Sequence, residues 1–325
     1  MKKMKNVDYK QAVSEWIKTH PTPAKVIVVA VLVVLFCVIF VTCKGKDEAA
    51  RTPKLPEKKQ TVVPPAPAPA PDPGPENDTV TDVETPAPEL SAEHAVKLPN
   101  NAELKLIRIS KGSYIAGSPT VESGRNPRVE SLRQVNIADD FYIGVYEVTQ
   151  AQYLAVTGQN PSRFKGGTLP VENVTWDDAV IFCEKLNASG SAPEGWKFSL
   201  PSSEQWEYAC RAGSTTPFFW GKTLNGDKAN CYGRKPYGTA RKGAYLKKTA
   251  PVGSYSANAW GIYDMHGNVW EWSKKTVKGR PVYEIRGGSW ATAAKDCRSA
   301  VRYTRKPSGA NQTIGFRVIL EKADY

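Results

Sequence analysis

Residues 26–43, VIVVAVLVVLFCVIFVTC, form an unbroken apolar run, and this run decides how the rest of the chain is arranged. Its length matches what a helix needs to cross the hydrocarbon core of a bilayer, roughly 20 residues. Lys2, Lys3, Lys5, Lys10, Lys18 and Lys25 precede it against only Asp8 and Glu15. The positive-inside rule then predicts a cytoplasmic segment over 1–25, a transmembrane helix over 26–43, and an extracytoplasmic remainder, periplasmic or extracellular. A cleaved signal peptide is the alternative, but the polar region before the run is long and no A-x-A site follows it. Lipidation at Cys43 is a third reading, and Phe40-Val41-Thr42 offers few of the small residues such a site prefers. Val13, Trp16 and Ile17 share one face at helical spacing, which suits an interfacial helix or a plain solvated one.

Residues 44–102 read as a stalk. Their centre, TVVPPAPAPAPDPGPENDTVTDVETPAPEL, lacks the backbone donors and large apolar groups that a core requires. Alternating Pro-Ala favours polyproline II, a semi-rigid spacer, and no aromatic or basic residue in the Pro-Ala run marks it as a recognition ligand. The formal net charge is +12. In a cytoplasmic protein such a charge would suggest nucleic acid, but the predicted topology turns the basic surface away from the cytoplasm. The densest basic stretch, GRKPYGTARKGAYLKK, carries Arg234, Lys235, Arg241, Lys242, Lys247 and Lys248 with no acid. It reads as a solvated loop or as a contact for an anionic envelope polymer or lipid headgroup.

From residue 103 to 325 the composition is that of a folded domain of the α+β class. Short strands such as 104–110 and 141–149 alternate with turn-rich loops. Helices are predicted after Thr149, Thr175 and Ser202. At the last two, Asp178 and Gln205 stand three residues on and complete a capping box, and Gly213 supplies a left-handed stop. Eight of the nine tryptophans lie in this domain, which suggests irregular backbone pinned by aromatic packing and indole N–H bonds. No fixed-period repeat is present.

The blocks GSYIAGS (112–118), YEVTQAQYLAVTG (146–158), LPVENVTWDDAVIFCEKL (169–186), FSLPSSEQWEYACRAG (198–213), GIYDMHGNVWEW (261–272), RGGSW (286–290), CRSAVR (297–302) and IGFRVI (314–319) occur in an order that resembles the formylglycine-generating enzyme, or sulfatase-modifying factor, family. The resemblance covers nearly all of 103–322. It implies a fold related to C-type lectins with little regular secondary structure. It also implies an oxidation of a substrate cysteine at a copper(I) site made of two cysteines just after the GGS block, since soft thiolates suit that ion. Here the corresponding stretch is WATAAKD, with neither cysteine, so copper is not expected and the oxidation is disfavoured. Iron held by three histidines, as in the related sulfoxide synthases, is not expected either. The chain has only His20, His94 and His266, of which the first reads as cytoplasmic and the second as stalk.

Calcium is the metal with positive support. In DMHGNVWE, Asp264 and Glu271 bring carboxylates while Gly267 and Val269 bring carbonyls, the hard oxygens that Ca2+ takes, and the resemblance places a structural calcium at these four positions. A second family site, after 229–230, lacks its carboxylates here. The resemblance also suggests a Cys210–Cys297 disulfide and leaves Cys183 a buried small hydrophobe facing Val318, with Cys231 free. The expected function is a non-catalytic binding, scaffolding or regulatory module of the cell envelope. Its surface would run along WATAAKD with Arg298, Arg302, Tyr303, Arg305, Lys306 and Asn311, facing an extracytoplasmic protein or envelope glycan. The alternative is an oxidase of the formylglycine-generating type.

Overall fold

The computed structural model describes residues 91–323. The predicted cytoplasmic segment, transmembrane helix and nearly all of the stalk lie outside them. Among the described residues no helix is long and apolar enough to cross a membrane.

The domain begins earlier than its composition suggests. β1 (Glu93–Lys97) pairs antiparallel with β2 (Glu103–Ile109), so residues placed in the stalk, His94 included, belong to a sheet. β2 buries Leu104, Leu106 and Ile109. β3 (Gly112–Ala116) and β4 (Arg133–Ile137) form a separate antiparallel pair. β5 (Phe141–Gly144) is buried along its whole length and ends at Gly144, well short of the predicted 149. β6 (Trp196–Ser199) and β11 (Ile319–Lys322) complete a five-stranded sheet of order β1-β2-β5-β11-β6. A second sheet, of order β10-β7-β8-β9, holds β7 (Trp270–Val277), β8 (Arg280–Arg286), β9 (Arg302–Thr304) and the two-residue β10 (Ile314–Gly315). Only β10 and β7 run parallel in it.

All three helices start where their caps place them. α1 (Gln150–Thr157), α2 (Trp176–Ala188) and α3 (Ser203–Arg211) each open on a capping box, with Gln152 closing the first. In α2, the Thr175 hydroxyl accepts the Asp178 N–H at 3.0 Å while the Asp178 carboxylate accepts the Thr175 N–H at 2.9 Å. Replacing such a cap by alanine typically costs about 1 kcal/mol. α3 ends on Ala212, which takes the left-handed conformation itself at φ 44° before Gly213 continues it. α2 buries Ala179, Phe182, Cys183 and Leu186, the i, i+3, i+4, i+7 stripe of a half-buried helix. There Phe182 stacks on Tyr153 with centroids 5.7 Å apart and meets Phe316 edge-on at 5.3 Å.

The loops are fixed by buried ion pairs that sequence alone reads as surface charge. Glu207 lies fully buried on α3. Its carboxylate accepts from Arg286 at 2.7 Å, from Arg211 at 2.8 Å and from the Gly117 N–H at 2.9 Å. Burial raises the Glu207 pKa, but Arg286 and Arg211 outweigh it and hold the carboxyl below the ordinary value. Replacing Glu207 by alanine would leave two buried guanidinium groups facing an empty space. We expect a loss of about 3–5 kcal/mol of folding free energy, read by denaturant titration.

Candidate functional site

The predicted recognition segment starts at the paired glycines that end β8. Gly287 and Gly288 have φ 88° and 84°, a region costly for other residues. A Cβ on Gly288 would lie 2.4 Å from Cys297 Sγ, so the thiol fills the space that the glycine leaves. Trp290 is then fixed at both ends: its backbone N–H donates to Asn268 O at 2.8 Å and its indole N–H to Gln312 O at 3.0 Å. Around it stand three half-buried rings from distant loops. Phe164 meets Trp290 edge-on at 5.5 Å, Tyr245 stacks toward it at 6.4 Å, and Tyr232 packs on Tyr245 at 4.5 Å. Arg163 lies over Phe164 and Lys235 over Tyr232 at 5.7 and 5.8 Å, within the range of cation–π attraction. Sequence reading missed this aromatic row, because no spacing connects residue 164, the 232–245 loop and Trp290.

The surface predicted beside it divides. Arg298 is only 1% exposed and is held by Glu122 and Glu130, the latter at 2.9 Å. Arg302 is likewise withdrawn, with a side chain 9% exposed against Glu284 and a hydrogen bond to Val129 O. Neither is available to a ligand, since each is committed to an internal carboxylate. Tyr303, Arg305 and Lys306 are exposed; the Tyr303 hydroxyl donates to Asp296 at 3.0 Å. Asn311 is half-buried and works within its own loop, its side-chain oxygen accepting the Thr313 N–H at 2.8 Å.

The cysteines also differ from the expected pairing. Cys210 and Cys297 are unbonded and face different neighbours. Cys210 Sγ lies 3.8 Å from both Met265 O and His266 Nε2 and hydrogen-bonds with Ser299, and burial pushes its thiol up to about 12. Ser299, two residues beyond Cys297, donates to Pro217 O at 3.1 Å. The neighbour of Cys297 is Cys231: their hydrogen bond, then burial, raises the Cys297 thiol well above its ordinary value. Cys183 is buried in the main core, as the expected small hydrophobe. His266 is structural. It is fully buried, with Nδ1 2.7 Å from Cys297 O and Nε2 accepting from the Phe219 N–H at 3.3 Å. Burial lowers its pKa to about 4, and a neutral ring protonated at Nδ1 satisfies both contacts.

The predicted calcium residues surround a buried acidic group. Glu147 lies beside Asp264 and Glu271; burial and then these two carboxylates raise its pKa well above the ordinary range. Burial also lifts Asp264 to about 6. Glu271, however, gives both oxygens to Arg317 at 2.6 and 2.7 Å and one also to the Trp206 indole at 2.6 Å. Asp264 accepts the Gly253 N–H at 2.6 Å, and the Val269 N–H points to Glu147 at 3.0 Å. Among the described residues no cluster of three or more His, Cys, Asp or Glu side chains has the geometry of a metal site. The charge excess at Glu147 and Asp264 suits a cation, whereas Glu271 is already neutralised from within. Beside this turn, Asn230 Oδ1 and Thr249 Oγ1 are buried without a hydrogen-bond partner.

The family profile described as the sulfatase-modifying factor enzyme 1-like domain matches residues 91–322, the same span that the first strand opens. A chaperone protein, LppX, of Paenibacillus barcinonensis is 31% identical over 56% of this chain and 81% of its own length. The inactive C-alpha-formylglycine-generating enzyme 2 of Mus musculus is 31% identical over 46% of this chain and 48% of its own length, and the formylglycine-generating enzyme of the same species is 29% identical over 49% and 46%. The chain thus spans about half the length of these two mouse relatives. Among solved structures, PvdO from Pseudomonas aeruginosa superposes with a TM-score of 0.57 at 29% identity, over 67% of this chain and 94% of PvdO. The chain belongs to the sulfatase-modifying factor, or formylglycine-generating enzyme, family.

Proposed function

We propose that this domain is a non-catalytic binding module, displayed outside the cytoplasm on a Pro-rich stalk and a membrane anchor. The observation that carries the reading is the stretch Trp290–Asp296, which holds no cysteine where the family's oxidases carry their copper-binding pair. The nearest thiols, Cys231 and Cys297, are fully buried, and a buried thiol is neither a ready nucleophile nor a ready ligand. In place of a reactive pair, the Trp290 region presents half-buried aromatic faces flanked by Arg163 and Lys235. Such faces stack on sugar rings or peptide side chains, and the neighbouring Arg234, Arg241, Lys242, Lys247 and Lys248 favour an anionic partner. Relatives named as a chaperone and as an inactive enzyme are compatible with holding a partner rather than transforming it. The lysine-rich N-terminus and the apolar run at 26–43 support the anchored topology.

One experiment with two arms tests the reading. The full chain in detergent, incubated with copper and a peptide carrying Cys-x-Pro-x-Arg, should yield no aldehyde by mass spectrometry. Crosslinking in intact cells should capture an envelope partner that Arg305→Glu with Lys235→Glu no longer retains. Aldehyde that disappears in Cys297→Ser would establish the oxidase instead, and a partner set unmoved by charge reversal would remove this surface from the account.

The same reading includes a structural calcium beside Asp264, Gly267 and Val269, supported by the excess of buried carboxylates there. Millimolar calcium should raise the melting temperature of the chain by several degrees, and Asp264→Asn should abolish the rise. No shift in the unsubstituted chain would restrict the group to its internal Arg317 pair.

A further inference from the structure

Cys231 and Cys297 belong to one buried cluster with Phe218, Leu224, Tyr237 and Ala294. The segments that carry them are joined just after Cys231 and just before Cys297. The Tyr232 N–H donates to Thr292 O at 2.9 Å and the Ala294 N–H to Lys235 O at 3.1 Å, and Tyr232 and Ala293 form an isolated parallel bridge. The two thiols lie in this one cluster, and the proximity of Cys231 raises the Cys297 thiol above its ordinary value. Cys297 Sγ packs against Gly288, in the space that a side chain there would fill. Cys183 and Cys210 are packed in other clusters and do not compete.

We propose that Cys231 and Cys297 are a disulfide-forming pair, which locks the lysine-rich loop against the segment that follows the paired glycines. The two electrons go to a small-molecule disulfide such as oxidised glutathione. One protein thiol, losing its proton, attacks that disulfide, forms a mixed disulfide and releases one glutathione thiolate. The second protein thiol, also deprotonated, then attacks the protein sulfur of the mixed disulfide and expels the other glutathione as a thiolate. Two protein thiols are oxidised and one glutathione disulfide becomes two thiols. Both sulfurs are buried in the folded domain, so exchange precedes the closing of the cluster around Phe218. The bond spans residues 231–297, a long loop whose closure restricts the unfolded chain strongly.

The test uses the full chain in detergent, refolded with excess oxidised glutathione, alkylated and digested with trypsin. The expected product joins Ala229–Arg234 to Asp296–Arg298 and separates on reduction, with Cys183 and Cys210 alkylated. Reduction should also lower the melting temperature by about 10 °C, and the Cys231→Ala, Cys297→Ala double variant should lose that response. Alkylation of both thiols, separate glutathione adducts on each, or a bridge from Cys297 to Cys210 would overturn the proposal. The peptide map stands on the unsubstituted chain, whether or not the variant folds. It requires no partner, so its failure would leave the binding reading untouched.

Discussion

Three buried arginines hold together a domain that has too little regular structure to hold itself. Arg317 donates to Glu271 and to the carbonyls of Gly144 and Tyr263. Arg286 donates to Glu207 and to the carbonyls of Ser203, Ala300 and Val301. Arg298 donates to Glu130 and to the carbonyls of Gly124 and Lys295. Each guanidinium offers five N–H groups in a rigid plane, and one carboxylate uses only part of them. Most of the remainder satisfy carbonyls that a helix or a ladder would otherwise pair, with Arg286 Nε left over. Charge burial and loop geometry thus solve each other's problem: the loops solvate the cation, and the cation fixes the loops.

The same constraint explains what could be read beforehand. Local signals survived intact. The three caps are short-range hydrogen bonds between residues three apart, and all three helices begin where Thr149, Thr175 and Ser202 place them. Long-range pairings were not legible. Arg298 looks like surface charge because its partners, Glu122 and Glu130, come from a loop far earlier in the chain. Cys297 reads as the partner of Cys210 because a resemblance assigns a sulfur to a block, while the fold packs Cys210 in one buried cluster and Cys297 in another with Cys231. β1 was hidden for a different reason: it follows directly on proline-rich sequence, and a five-residue edge strand leaves little compositional trace.

The site is held largely by hydrogen bonds to backbone. The paired glycines and Trp290 fix the backbone that leads into Trp290–Asp296, His266 holds Cys297 O just beyond it, and the Arg317–Glu271 pair anchors Gly144 and Tyr263. None of these interactions depends on a side chain of Ala291–Asp296. The rings of Phe164, Tyr232 and Tyr245 come from loops outside the strands of both sheets, where side chains can change without disturbing either sheet.

β1 has a role that its size conceals. In the five-stranded sheet it occupies the flank of β2, whose N–H and C=O groups would otherwise face outward as an open template for another chain's strand. β1 itself is a poor template, short and carrying Glu93 and Lys97 at its ends. The residues joining the proline-rich segment to the domain thus act as a guard against edge-to-edge self-association. A chain trimmed to residue 103 would lose that guard, and one trimmed to residue 91 would keep it.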